Sequence, residues 1–149
     1  MKKQLYTVVI MIALLTVAGL SSAEAQTQHR MQSRARIPFA FNVGEKTMPA
    51  GQYTVSCTNP SSPVKVLQLR SSDGHESALV VTSSVIGKSK DDAKLVFNRY
   101  GDEYFFAQAW LPSESIGMQA SKSRREKQMA RELALHRLAK ETIALVPAR

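Results

Sequence analysis

The sequence predicts a mainly β protein: an antiparallel β-sandwich or partly open barrel of six to eight short strands, with one C-terminal α-helix. Three observations carry this. Apolar and polar residues alternate through much of residues 37–111, the period of a strand with one buried face. Turn residues interrupt the alternation at short intervals, including Asp73-Gly74 and Gly101-Asp102, the punctuation of hairpins. From Arg124 to Lys140 the composition then shifts to Ala, Leu, Met, Arg, Glu and Lys, all good helix formers.

Each element can be justified in turn. Ile37, Phe39, Phe41 and Val43 alternate with Pro38, Ala40 and Asn42, giving a first strand with one apolar face. Pro38 has no N–H for a ladder and favours a sheet edge or a strand start. Met48-Pro49-Ala50-Gly51 turns the chain. In the strand from Tyr53 to Thr58, Tyr53, Val55 and Cys57 share a face, so Cys57 is expected as a small buried hydrophobe rather than a reactive thiol. It is the single cysteine, and no internal disulfide can form. Asn59-Pro60-Ser61-Ser62-Pro63 ends that strand.

Val64 to Arg70 and Glu76 to Ser83 flank Ser71-Ser72-Asp73-Gly74, a hairpin signal. A polar loop follows from Gly87 to Asp92. Lys94 to Tyr100 and Glu103 to Leu111 form the clearest hairpin, joined by Gly101-Asp102. Leu95 and Phe97 are expected to share a face with Phe105, Ala107, Ala109 and Leu111. Tyr100, Tyr104, Phe106 and Trp110 load the other face, so this hairpin should be covered on both sides. Residues 113–122 read as a linker. Ser123 then opens the helix, with Glu126 at capping-box spacing. Met129 and Leu133 share a face, but Glu126, Arg137 and Lys140 intrude on it and Leu135 points away, so the helix should be loosely docked. Thr142 to Val146 form a final short strand or an apolar tail.

The chain has 149 residues and a formal net charge of +8. Lys2 and Lys3, the apolar stretch from Leu5 to Leu20, and Ala23-Glu24-Ala25 together have the form of a secretory signal over residues 1–25. The apolar run approaches the length of a short membrane span, but Gly19, two serines and the A-x-A box favour cleavage before Gln26. Glutamine rather than cysteine at that position excludes a lipoprotein signal. The remainder divides into a basic N-terminal arm at 26–36, a β-domain at 37–112, the linker, and the helix with its tail at 123–149. Residues 37–121 hold seven basic and eight acidic side chains, so the body is near neutral and the positive charge sits in its flanks.

Chemistry is sparse. His29, His75 and His136 are scattered, and no H-x-H, H-E-x-x-H or Cys/His spacing occurs, so no metal site is expected. Asp73, His75 and Glu76 cluster locally, as turn residues ordinarily do. Gly87-Lys88-Ser89 lacks the first glycine of a phosphate-binding loop, where Thr82 stands, and no helix pattern follows. No G-x-S-x-G elbow is present, and Pro60 disqualifies Asn59 for glycosylation. No cofactor and no catalytic residue is expected. Two groups remain. Tyr100, Tyr104, Phe106 and Trp110 would line a cup for an apolar ligand if the sheet closed into a barrel; packing between two sheets uses the same rings without a ligand. Arg124, Arg125, Lys127 and Arg131 form the one dense basic cluster, suited to envelope phosphates or an acidic polymer, or to a solvated helix face. Nucleic acid is not an expected partner, because the aromatics sit inside strand patterns rather than between basic residues.

The segments I-P-F-A-F-N-V-G-E-K-T-M-P-A-G-Q-Y-T-V from Ile37 to Val55, L-V-F-N-R-Y-G-D-E-Y-F from Leu95 to Phe105, and S-K-S-R-R-E from Ser121 to Glu126 resemble an uncharacterised family of small exported proteins of acidobacterial-type soil bacteria. The resemblance covers about residues 37–133. It implies a signal peptide, a β-rich body and a charged C-terminal segment, with no assigned activity. The expectation is an exported, periplasmic or extracellular, non-enzymatic domain with a binding or structural role in the cell envelope, its partner an envelope protein or an anionic envelope surface. A carrier of a small apolar ligand is the alternative, and an enzyme of unrecognised type comes third.

Overall fold

The computed structural model describes residues 32–87, 93–112, 114–135 and 140–145. The expected leader, His29, Arg30, most of the Gly87–Asp92 loop, His136, Arg137 and the last four residues lie outside these. The chain is mainly β with a single C-terminal helix among the described residues. Its strands are β1 (Gln32–Ile37), β2 (Phe41–Val43), β3 (Lys46–Met48), β4 (Gly51–Cys57), β5 (Lys65–Ser71), β6 (Ser77–Ile86), β7 (Lys94–Tyr100), β8 (Glu103–Trp110) and β9 (Ile116–Ala120), followed by helix α1 (Arg124–Leu135) and β10 (Glu141–Leu145).

All ten strands belong to one open, mixed sheet. Its main path runs β1-β4-β5-β6-β9-β8, and β7 and then β10 continue from β8. Pairing is antiparallel except for a parallel bridge between Asn42 of β2 and Phe105 of β8. Because β7 pairs along the whole of β8, β2 and β9 share the opposite edge of β8: β2 at Phe105, and β9 at Gln108 and Ala109.

The sheet is folded over on itself. In a flat sheet, β4 and β7 would be roughly 24 Å apart, five strand spacings. Yet the Phe41 ring lies 5.2 Å from that of Tyr53 on β4 and 5.4 Å from that of Phe97 on β7. The two halves therefore face each other in a sandwich-like arrangement, with Ile37, Phe41, Met48, Val55, Leu67, Leu69, Leu95, Phe97 and Phe106 between them. Asn42 ties the β2–β3 hairpin into this core: its amide donates to the Tyr104 carbonyl at 3.3 Å and its oxygen accepts from the Thr47 hydroxyl at 2.7 Å. Cys57 packs at the edge of the same core, on the face of Tyr53 and Val55.

The structure differs from the sequence expectations at four places. Among the described residues there are ten strands rather than six to eight: the expected first strand is two, β1 and β2, separated at Pro38, and β3 and β9 are strands where the sequence suggested none. Residues 32–36, read as a free basic arm, are the body of β1, paired in register with β4 from Gln32↔Ser56 to Ile37↔Gly51. The stretch read as a linker contains β9, inserted between β6 and β8; its Met118 and Ala120 are buried. The faces of the β7–β8 hairpin are also reassigned. Tyr100 pairs with Glu103 and Phe97 with Phe106, but Val96 pairs with Gln108, so Ala107 is an unpaired β-bulge residue and the parity of β8 changes there. Between the loop and the bulge the unbroken register puts Tyr104 and Phe106 on the core side with Phe97, while Phe105 faces the other way; beyond the bulge Ala109 joins the core side and Trp110 the outer.

Gly74 and Gly101, in the two hairpin loops that sequence predicts, have φ of +78° and +61°, where a side chain would be strained.

Candidate functional site

Helix α1 is placed on the outer side of the β7–β8 hairpin by polar groups. The Ser123 hydroxyl accepts from the Glu126 N–H at 3.1 Å and its carbonyl from the Lys127 N–H at 3.0 Å, an N-cap. The Arg124 N–H donates to Glu45 on the β2–β3 turn at 3.0 Å. Glu126 does not reach back to close a capping box. Its carboxylate points into the protein, where Oε1 accepts from Asn98 Nδ2 at 2.8 Å and from the Tyr100 hydroxyl at 3.2 Å. Glu126 is the one fully buried side chain of the helix, so the helix docks through a carboxylate rather than an apolar stripe. Burial, with the Glu126 charge and hydrogen bond added, pushes the Tyr100 phenol up to about 12.

That docking decides where the basic cluster points. Glu126, Met129, Ala130 and Leu133 occupy the inward side. Arg124, Lys127, Arg131 and Leu135 recur at three- and four-residue spacing, which aligns them on the opposite side of a helix. All four are exposed, and Leu135 at the end of the stripe is 83% exposed. Along the axis the stripe spans about 16 Å. Arg125 is separated from the other three: its guanidinium bonds Glu103 at 2.8 Å, which raises its pKa first through the hydrogen bond and then through charge. The second Glu103 oxygen is buried without a partner. The sequence cluster thus divides into one cation that ties the helix to β8 and three that face outward.

The aromatic quartet is divided as well. Tyr104 and Phe106 face the core: Tyr104 stacks on Phe39 at 3.9 Å, and Phe106 meets Phe97 at 5.8 Å edge-to-face. Tyr100 lies on the outer face under the helix, edge-on to Phe105 at 5.7 Å. Trp110 lies at the far end of that outer face, held over Gly117 and Gly87 with Lys94 above its ring at 5.1 Å. The four rings therefore share no common surface on which a ligand would meet them all.

Sequence reasoning missed a third feature. The outer faces of β1, β4 and β5 form an open polar groove of about 460 Å³, lined by Gln32, Thr54, Ser56, Gln68, Arg70 and the Ser71–Gly74 loop. Its signal was present in Gln32, Arg34 and Arg36 alternating with Ser33, Ala35 and Ile37, a strand pattern continuing upstream of Pro38. Among the described residues no group of His, Cys, Asp or Glu side chains is arranged to hold a metal ion, and no helix is long and apolar enough to cross a membrane. Comparison with protein-family models, curated proteins and solved structures found no match.

Proposed function

We propose that this chain is an exported, non-enzymatic β-domain of the cell envelope whose helix α1 presents a basic face to an anionic surface. The observation that carries the reading is the inward anchoring of Glu126. It fixes the rotation of the helix and leaves Arg124, Lys127 and Arg131 directed away from the sheet with an exposed leucine at their end. Export is supported by the leader pattern, Lys2-Lys3 before the apolar run and Ala23-Glu24-Ala25 after it. Three aligned cations with one apolar residue suit reversible surface attachment, since polybasic attraction acts only near the surface and falls off within a Debye length.

Co-sedimentation with phosphatidylglycerol-containing vesicles tests the reading. Binding is expected at about 0.1 M salt and should be lost toward 1 M, as the Debye length falls from about 10 Å to about 3 Å. It should also be lost in the R124Q/K127Q/R131Q variant. Equal binding to neutral phosphatidylcholine vesicles, or binding unchanged in that variant, would overturn it.

A further inference from the structure

The groove on β1, β4 and β5 lies on a different face from helix α1 and has its own chemistry. Strand register places the outward side chains of these strands in two cross-strand rows: Gln32, Ser56 and Gln68, then Arg34, Thr54 and Arg70, with Arg34 beside the groove lining. Within a row the outer two residues stand two strands apart, about 10 Å, and the rows are about 7 Å from each other along the strands. Arg36 continues the exposed side of β1 beyond the second row. The Ser71–Gly74 loop closes one end. Gly74 shapes that wall through its φ of +78°, and the exposed Arg70 guanidinium lies beside the loop, 3.4 Å from where a Cβ on Gly74 would stand.

Within the groove lining Arg70 and Asp73 balance, and Arg34 and Arg36 on the exposed side of β1 beside it make the β1–β4–β5 face as a whole positive. Arg34, Arg36 and Arg70 take part in none of the ion pairs among the described residues. The one carboxylate of the wall, Asp73, is already engaged: it accepts from the Ser71 hydroxyl and, at 3.0 Å, from the His75 N–H. Those hydrogen bonds hold its carboxyl below the usual range.

No aromatic ring and no large apolar side chain lines the groove. Single-stranded nucleic acid, whose bases stack on rings, and lipid tails, which need apolar neighbours, both fit it poorly. Two arginines offer planar forks for carboxylates, while two glutamine amides and the Thr54 and Ser56 hydroxyls both donate and accept. That combination matches a chain bearing repeated carboxylates and many hydroxyl groups.

We infer that the β1–β4–β5 face binds an extended acidic polysaccharide, with Arg34 and Arg70 taking uronate carboxylates and Gln32, Thr54, Ser56 and Gln68 taking hydroxyls. Calorimetric titration of the purified full chain with hexagalacturonate, and with neutral cellohexaose as the control, tests this. Hexagalacturonate should bind, cellohexaose should bind about tenfold more weakly or not at all, and R34Q/R70Q should lose about tenfold in affinity. Both arginines are exposed, so that variant should keep the wild-type circular dichroism. Q68L, which keeps the charge, should weaken hexagalacturonate binding. The R124Q/K127Q/R131Q variant should bind hexagalacturonate like wild type even if it no longer binds vesicles, which separates this site from the helix. Absence of binding, equal binding of the neutral oligomer, unchanged affinity in R34Q/R70Q, or loss only in the helix variant would each overturn the inference.

Discussion

Glu126 is the residue on which the position of helix α1 depends, and its replacement has a magnitude that can be worked out. The carboxylate is 3% exposed and accepts from Asn98 and Tyr100, both buried. Glu126→Ala leaves two buried donors without an acceptor, each costing about 1–3 kcal/mol. Some of that is recovered as water enters the space left by the side chain, so about 2–4 kcal/mol is expected. With a urea slope of about 2 kcal/mol per molar, the middle of the range for small domains, the unfolding midpoint should fall by about 1–2 M. Glu126→Gln keeps an acceptor oxygen and loses only the charge-assisted part, about 1 kcal/mol. Leu135→Ala, at the exposed end of the same helix, should move the midpoint by less than about 0.5 kcal/mol equivalent. Urea unfolding followed by circular dichroism, with hydrogen exchange of the helix amides, reads all three. If E126A and L135A were equally mild, the buried carboxylate would not be the anchor. If E126Q were as damaging as E126A, charge rather than hydrogen bonding would hold the helix.

Other outcomes follow from the same geometry. Tyr100 is raised from its ordinary 10 to about 12 in the folded protein, so its contribution to stability is complete below pH 10 and is lost as pH rises through that window; alkaline melts of wild type should show this decline, and Tyr100→Phe should show a smaller one, since the buried Tyr53 phenol is also raised. Gly117→Ala would place a Cβ 2.6 Å from the Trp110 ring and 2.8 Å from Val85, an overpacking expected to cost about 1–3 kcal/mol and to shift the tryptophan emission. Phe41→Ala removes the ring that bridges the two halves of the sheet and should cost about 3–5 kcal/mol, measurable by the same urea melts. Truncation after Ala120 removes α1 and β10 together, exposes the outer face of β7–β8 and the β7 edge, and should abolish cooperative unfolding.

Local signals carried the fold class because they are local. Asp73-Gly74 and Gly101-Asp102 each mark a hairpin whose glycine does take positive φ, and Ser123 does cap the helix. What could not be read was long-range. Ile116 to Ala120 is a five-residue strand with a glycine in it, weak by propensity, and it becomes a strand because β6 and β8 each offer it an edge. Arg34 and Arg36 read as part of a basic N-terminal arm, and it is β4 that supplies the partner, placing them opposite Thr54 and Gln52. The helix appeared loosely docked because apolar periodicity was the measure applied to it, and its anchor is a glutamate.

The faces of β7–β8 are a different case, because counting could have corrected them. A two-residue loop makes Tyr100 the partner of Glu103, and each step back along β7 is matched by a step forward along β8, so Phe97 must oppose Phe106. Opposed residues share a face, and that alone excludes Phe105 from the face of Phe97. The same count carried to the end would put Leu95 opposite Gln108 and leave Ala109 and Leu111 on the outside. Ala107 prevents this. As an unpaired bulge it advances β8 by one residue, so Leu95 meets Ala109 and Leu111 is buried in the core. One small residue thereby lets a single strand bury Phe106 and Ala109 on one face, and Phe105 and Trp110 on the other. The functional consequence is direct: the two-residue loop sets Tyr104 and Phe106 toward the core and leaves Tyr100 outside to receive Glu126, while the bulge keeps Ala109 and Leu111 in the core beyond them, so two of the rings that looked like a ligand cup pack the core and a third holds the basic helix.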